Sequence, residues 1–398
     1  QFVEIVAASK DTALVYVVVT TAGGLALIVY DGGKITPVWL PELTEETLEH
    51  TLTNMEPPDT GYLRAYYDWL THSKEDTYRQ QWFNSLAATT QWLWTTIMAM
   101  LIQALPKQAQ VTLIPVGLLG LLPLHAAWTE DNNTPTGKRY ALDCLTISYA
   151  PNARSLTEAR KVAHRVTADH LLAVDEPKPV KASPLPSSEY EVQTIGAHFA
   201  QPHIVRHETA TRQALLNALP DCNVLHCSCH GIANLNQPLK SALIMAQDEP
   251  LTVKDFLALR LNGVRLATLS ACETGMPGIE LPDEVVNLPA GLLQAGVAGV
   301  VASLWSVSEM STALLMTKFY QEVTTLWQQQ GTQASIAPAL QAAQCWLRDA
   351  TKPELQTWVN QLALTPVQHL QFMVFFHTMP ERPFSAPFYW AAFCAIGQ

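Results

Sequence analysis

Short apolar runs alternate with longer amphipathic stretches through the second half of the chain. Buried strands are predicted at residues 170–174, 204–206, 224–229, 266–270, 299–305 and 388–396. Helices are predicted between them at residues 188–199, 211–219, 252–261, 289–295, 308–326 and 334–350. Because the helices between parallel strands cover both faces of the sheet, this order predicts an α/β fold with a largely parallel sheet flanked by helices.

The first half has a different pattern, and we expect it to form a separate domain. The elements predicted there are two strands around a glycine turn in residues 12–30, a third after Gly33, helices at 44–56 and 75–106, and buried strands at 111–115 and 146–150. The junction is expected within residues 151–169. The predicted domains are therefore residues 1–165 and 166–398.

Two long apolar stretches in the first half are not predicted to be membrane spans. Residues 111–128 contain prolines, glycines and His125, which favours a buried strand followed by a turn. Residues 92–105 are too short for a span and fit a core helix. The tryptophans at 69, 82, 92 and 94 are interpreted as core and domain contacts. No membrane partner is predicted.

Composition narrows the class of protein further. Hydrophobic residues make up 48% and charged residues 15%, which is typical of large cores. The net charge of −11 disfavours nucleic acid as the main partner, because phosphate binding relies on Lys and Arg. Seven cysteines do not form the dense framework of a small secreted scaffold, so a reducing, cytoplasmic setting is expected. The chain begins at Gln1, and we expect it to be a piece of something longer.

Two predicted strand ends carry reactive side chains. His230 and Cys272 each lie where an apolar strand meets a glycine turn, and functional residues collect at the carboxyl ends of parallel strands. A thiol needs a nearby imidazole to become an effective nucleophile. The amides of Gly231 and Cys272 are candidates for an oxyanion hole. This constellation predicts a cysteine nucleophile with a histidine base and no third, orienting carboxylate.

Alternatives exist at the histidine. His226 competes with His230, since strand alternation puts both on one face, and His230 is preferred because it adjoins Gly231. Cys227 and Cys229 resemble metal ligands, but alternation sends them to the opposite face and no second ligand pair appears. No metal or other cofactor is predicted. The sequence also lacks the GxxxxGK[ST], HExxH and GxSxG motifs of other hydrolase classes.

Candidate substrate-binding residues follow the two strand ends. They are Asp283, Glu284, Ser303 and Trp305. Asp283 and Glu284 belong to an acidic loop that also contains Glu273 and Glu280. This loop is either solvated or forms one wall of the substrate site, in which case Asp283 is the best candidate to contact a basic substrate side chain. Packing alone is the alternative explanation for Trp305.

The segments "HCSCHG", "LSACETG", "LPDEVVNLPAGLLQAGVAGVVASLWSV" and "PFYWAAFCAIG" resemble the CHAT family of caspase-like peptidases, as do "LIPVGLLGLLPLHAAW", "SYAPNARSL" and "HLLAVDEP". The resemblance covers about residues 10–398. It implies a dyad of His230 and Cys272, a caspase-like fold and an N-terminal pseudo-caspase-like half without catalytic residues. Family members often have Pro where this chain has Ser306, and we expect no consequence for the dyad.

The resemblance also implies a biological setting. Relatives include the CHAT subunit of CRISPR-associated protease complexes and proteases that cleave bacterial gasdermins, with separases more distant. Bacterial defence, a protein substrate, and a regulatory protein or N-terminal repeat region as partner are therefore expected.

These observations together predict a cysteine endopeptidase that a partner activates, by ordering residues 274–288. The rival hypotheses are a catalytically silent caspase-like interaction module and a cysteine-dependent acyl transferase. Residues 1–150 are expected to supply no catalytic group and to cover an apolar face of the second half.

Overall fold

The structure is a computed structural model that describes the whole chain except residues 1, 11, 31–32, 56–59, 108, 279–284 and 363. The strands in the described part are β1 (Ala13–Thr20), β2 (Gly23–Val29), β3 (Ile35–Leu40), β4 (Gln110–Pro115), β5 (Trp128–Glu130), β6 (Lys138–Tyr140), β7 (Thr146–Tyr149), β8 (Leu171–Asp175), β9 (His203–Arg206), β10 (Val224–Ser228), β11 (His230–Ile232), β12 (Ala242–Met245), β13 (Glu249–Thr252), β14 (Leu266–Ser270), β15 (Gly299–Ser303) and β16 (Phe393–Gly397).

The helices surround these strands. They are α1 (Phe2–Ala8), α2 (Glu45–Thr53), α3 (Tyr62–Thr71), α4 (Asp76–Leu93), α5 (Ala99–Ala104), α6 (Ala153–Ala163), α7 (Ser188–Gly196), α8 (Arg212–Ala218), α9 (Val253–Leu257), α10 (Leu288–Ala295), α11 (Glu309–Gln330), α12 (Ala337–Asp349), α13 (Lys352–Val359), α14 (Pro366–Thr378) and α15 (Pro387–Trp390). A π-helical segment, Trp94–Met98, joins α4 to α5. No helix in the described ranges is long and apolar enough to cross a membrane.

Eleven of the described strands form one sheet, in the order β3-β2-β1-β4-β7-β16-β15-β14-β10-β8-β9. Neighbouring strands are parallel from β1 to β16 and from β15 to β9, and the two parallel groups meet antiparallel between β15 and β16. The hairpin strands β2 and β3 are antiparallel additions at one edge. The predicted α/β fold with a largely parallel sheet flanked by helices is confirmed.

The two predicted domains share this sheet. β16 comes from the end of the chain, yet it lies between β7 of the first half and β15 of the second. The segment expected to be the junction holds α6, which packs against α1. Backbone hydrogen bonds of one sheet connect the two halves. The boundary at residue 165 stays a prediction.

The register of the sheet places two loops side by side. β10 and β14 are parallel neighbours, and Ser228 at the end of one is paired with Ser270 at the end of the other. His230 and Cys272 each lie two residues beyond these paired ends. Because parallel strands end at the same edge of a sheet, this register brings the two residues to one site.

Candidate active site

The turn that carries Cys272 is fastened to the end of β15. The backbone N–H of Gly275 donates to the carbonyl oxygen of Ser303 at 2.7 Å. The Ser303 hydroxyl donates to the carbonyl oxygen of Ala271, also at 2.7 Å. Glu273, directly after the cysteine, has a φ of +59°. A non-glycine residue in this region is strained, and it persists where surrounding contacts hold it. The turn is therefore a rigid support for the thiol.

The Cys272 thiol is half-buried and receives hydrogen bonds from the next strand-to-helix connection. Burial raises its pKa, and hydrogen bonds from the Ser306 side chain and the Val307 backbone partly offset that rise. The Ser306 hydroxyl oxygen is 3.3 Å from Cys272 Sγ. The expectation that Ser306 has no consequence for the dyad is wrong, because this side chain contacts the thiol directly. With its pKa raised, the thiol is protonated at neutral pH.

His230 lies at the start of β11, with its ring fixed by a backbone carbonyl. Its Nε2 is 2.8 Å from the carbonyl oxygen of Ser183. A carbonyl can only accept, so Nε2 carries the hydrogen and Nδ1 is left as the basic nitrogen. His230 and Cys272, both within the described ranges, line one cavity without a hydrogen bond between them. Such contacts often form only when substrate is bound.

His226 has a different environment from His230. Its side chain is 0% exposed, and its Nε2 is 2.9 Å from Oε1 of the buried Glu191. The Tyr320 ring packs edge-on against it at 5.4 Å. β10 ends at Ser228 and β11 belongs to a separate three-stranded sheet, so strand alternation does not extend from His226 to His230. This burial supports a structural role for His226.

Gly231 lies against the backbone of the turn that carries Cys272. A β-carbon at this position would overlap the carbonyl oxygen of Cys272 and press on Thr274. Glycine is therefore required for the close approach of β11 to Cys272, whatever the φ angle. The roles of the Gly231 and Cys272 amides in an oxyanion hole stay a prediction.

The four predicted substrate-binding residues divide into two pairs. Asp283 and Glu284 lie outside the described residues, so the acidic wall stays a prediction. Ser303 and Trp305 are fully buried. The Trp305 indole donates to the carbonyl oxygen of Phe388 at 3.1 Å. Because both side chains are fully buried, a contact with substrate would require a rearrangement.

Trp305 is also part of the contact between the two halves of the chain. Its ring packs edge-on against Trp82, with centroids 6.1 Å apart. Trp69 packs in the same way against Phe388 at 5.5 Å. The interpretation of these N-terminal tryptophans as core and domain contacts is confirmed for Trp69 and Trp82.

Tyr66 is among the residues near the site that the sequence prediction missed. Tyr66, on α3, donates a hydrogen bond to Oε1 of Glu273 at 2.5 Å and accepts one from the Ser306 N–H at 2.8 Å. The signal available in the sequence was the helical spacing of Tyr62, Tyr66 and Trp69, which form an aromatic face. The N-terminal half thus reaches the turn that carries Cys272, although Tyr66 does not hydrogen bond with the thiol.

A cavity of about 80 Å³ extends from His230 and Cys272 towards α7 and α11. Its polar lining residues include Glu191, Glu309, Ser270 and Thr312. The Glu191 carboxylate also contacts His226, and the Glu309 carboxylate accepts the Ser187 N–H. The hydroxyl oxygens of Ser270 and Thr312 are buried without a hydrogen-bond partner. Burial raises the pKa of Glu309. No group of three or more metal-ligating residues occurs in the described part of the chain.

Comparison with known proteins agrees with this architecture. The CHAT domain family model matches residues 87–398. The fold is similar to separase from Saccharomyces cerevisiae, solved as a separase–securin complex, with 11% identity and a TM-score of 0.57. That similarity covers 100% of this chain and 31% of the separase chain. This similarity in fold confirms the predicted caspase-like fold.

A further solved structure is less similar. It is the Arg specific cysteine proteinase gingipain R of Porphyromonas gingivalis, with 9% identity, a TM-score of 0.45, and coverage of 79% of this chain and 67% of that chain. No curated protein matches the chain in sequence.

Proposed function

The chain belongs to the CHAT domain family, and from this premise we propose that it is a cysteine endopeptidase that cleaves a partner protein with Cys272 and His230. One observation carries the proposal. The two residues lie two positions beyond paired strand ends and line the same cavity. A thiol and an imidazole in such proximity are the minimum required for covalent acyl transfer.

The chemistry follows from the positions of these groups. The His230 Nδ1 accepts the Cys272 proton, and the thiolate attacks the scissile carbonyl carbon. The Gly231 and Cys272 amides stabilise the resulting oxyanion. His230 then gives the proton to the leaving amine, and water hydrolyses the acyl-enzyme. The Ser183 carbonyl orients the imidazole, which removes the need for a carboxylate.

We propose in addition that a regulatory protein or an N-terminal repeat region activates the enzyme. Two observations support this. The Cys272 thiol has a raised pKa, and in the described part of the chain it makes no hydrogen bond with His230. A small rearrangement has to bring the pair together. The separase that shares this fold was solved as a complex with securin, and the chain spans less than a third of that separase.

The cavity beside the dyad favours a basic side chain in the residue before the cleaved bond. Glu309 and Glu191 provide negative charge, and the hydroxyls of Ser270 and Thr312 have unused hydrogen-bonding capacity. Buried polar groups without partners are costly, so a ligand that satisfies them gains affinity. An ammonium or guanidinium group fits these acceptors best.

Cleavage itself is tested by comparing Cys272→Ala with the unmodified chain. We expect Cys272→Ala and His230→Ala to abolish the cleaved termini found by proteomics, together with adduct formation by a thiol-directed peptidyl electrophile. Cys144→Ala, which removes a half-buried thiol elsewhere, serves as control. Cleavage that persists in Cys272→Ala, or an electrophile that does not select Cys272, would reject the peptidase and favour a silent interaction module.

The preference for a basic residue is tested with Glu309→Gln. We expect kcat/KM for peptides with Lys or Arg before the cleaved bond to fall roughly tenfold, the value of a charge-assisted hydrogen bond, with little change for Leu peptides. Because the pKa of Glu309 is raised, the preference should also weaken as pH falls and the carboxylate is protonated. Glu322→Gln, on the same helix, is the control. Equal losses for both peptide classes would refute the assignment.

A further inference from the structure

Tyr66 joins the two residues that bear on the thiol from opposite sides. Glu273 follows Cys272 in the chain, and Ser306 donates a hydrogen bond to its sulfur. The Tyr66 hydroxyl contacts both, at 2.5 Å and 2.8 Å. We propose that Tyr66 is a positioning residue that sets the reactivity of Cys272 from the N-terminal half of the protein.

The hydroxyl is held firmly in its place. Tyr66 is only 5% exposed, and its ring packs against Trp82 at 5.0 Å and Trp69 at 5.9 Å. Burial and the neighbouring Glu273 charge raise its pKa, so the hydroxyl keeps its proton. It can therefore donate to Glu273 while its oxygen accepts the Ser306 N–H. Phenylalanine at this position would keep the ring and lose both hydrogen bonds.

The two contacts act on the thiolate in the same direction. The Ser306 hydroxyl stabilises negative charge on Cys272, and its position depends on the backbone N–H that Tyr66 accepts. The Glu273 charge opposes the thiolate and raises the Cys272 pKa. By donating a hydrogen bond to Glu273, Tyr66 partly compensates this charge. Loss of the hydroxyl should therefore make the thiol less reactive.

Ser306 is essential to this arrangement. A proline here, as the family resemblance suggests, would have neither an N–H for Tyr66 nor a hydroxyl for the thiol. This chain supplies both groups from one residue.

The proposal is tested on the full chain by the pH dependence of Cys272 alkylation with iodoacetamide, followed by mass spectrometry of the peptide that contains it. In Tyr66→Phe we expect the thiol pKa to rise and the alkylation rate at pH 7 to fall roughly three- to tenfold, the factor that one lost hydrogen bond gives. Glu273→Gln keeps an acceptor oxygen and removes the charge, so its rate should rise. Tyr67→Phe, on the same helix and 61% exposed, is the control and should not change the rate.

Opposite changes in the alkylation rate of Tyr66→Phe and Glu273→Gln support the proposal. If Tyr66 had a purely structural role, removal of the Glu273 charge would not change the rate in the opposite direction. An unchanged profile in Tyr66→Phe, or shifts in the same direction, would overturn it. If Tyr66→Phe does not fold, Ser306→Ala decides, because it removes the sulfur contact alone and should slow alkylation too.

The catalytic part of this role rests on the proposed peptidase function, but the alkylation assay does not. A chain that cleaves nothing can still show the opposite shifts, so the two ideas fail separately. In an active enzyme, Tyr66→Phe should lower kcat and leave KM unchanged, because Tyr66 does not line the cavity.

Discussion

At the scale of single residues, the site depends on contacts between particular atoms. The glycine of the His-Gly pair is required because β11 runs against the Cys272 carbonyl. The serine after Trp305 bonds to the thiol. Each contact involves a backbone group or a hydroxyl, and a sequence motif does not reveal where that group lies.

Gly231→Ala tests the close approach directly. Its methyl group would collide with the Cys272 backbone, and misplacement of the nucleophile by about 1 Å lowers activity roughly a hundredfold. We expect such a loss in kcat/KM, with a decrease of about 1–3 kcal/mol in the free energy of unfolding. Gly263→Ala is the matched control, because a methyl group there meets no atom within 4 Å. Normal activity in Gly231→Ala would show that the approach is not needed.

At the scale of secondary-structure elements, the strands that carry the dyad were predicted within one or two residues. Residues 266–270 form β14 as expected, and β10 ends one residue before its predicted limit. Their apolar runs are short and fully buried, which makes their pattern distinct. The helix α3 was missed, although it brings Tyr66 to the site. Its aromatic face alternates with polar residues, and its burial comes from tertiary contacts such as the one with Trp82.

The small sheet of β11, β12 and β13 was also missed. Its first strand starts directly after Cys229, so the chain changes sheets within two residues of β10. The prediction applied the alternation of one strand to both histidines, because nothing in the apolar pattern marks that change. A break of this kind depends on pairing between residues distant in sequence, such as Gly231 with Leu243.

At the scale of the whole molecule, one sheet connects the two halves. β16 fills the position between β7 and β15, and Trp82 covers Trp305. The N-terminal half is therefore part of the support for the nucleophile. This supports the expectation that it covers an apolar face of the second half.

Expression of residues 165–398 alone tests that expectation. Removal of β7 would leave one edge of β16 unpaired, and removal of α4 would uncover Trp305. Unpaired edges and large apolar surfaces promote aggregation. We expect an insoluble or aggregated product by size-exclusion chromatography, whereas the full chain stays in solution. A soluble, monomeric and fully active fragment would contradict this expectation.

The sequence by itself determined the class of fold, and it placed the two residues of the candidate dyad at one edge of the sheet. Strand and helix periodicity is local, and a His-Gly and a Cys-Glu-Thr-Gly turn after buried strands place both groups at one sheet edge. Tertiary structure alone decided how the site is held. The bonds of Tyr66 to Glu273, of Ser306 to Cys272 and of Ser183 to His230 join segments 34 to 207 residues apart. No local pattern encodes such pairings, because they arise only when the sheet brings distant turns together.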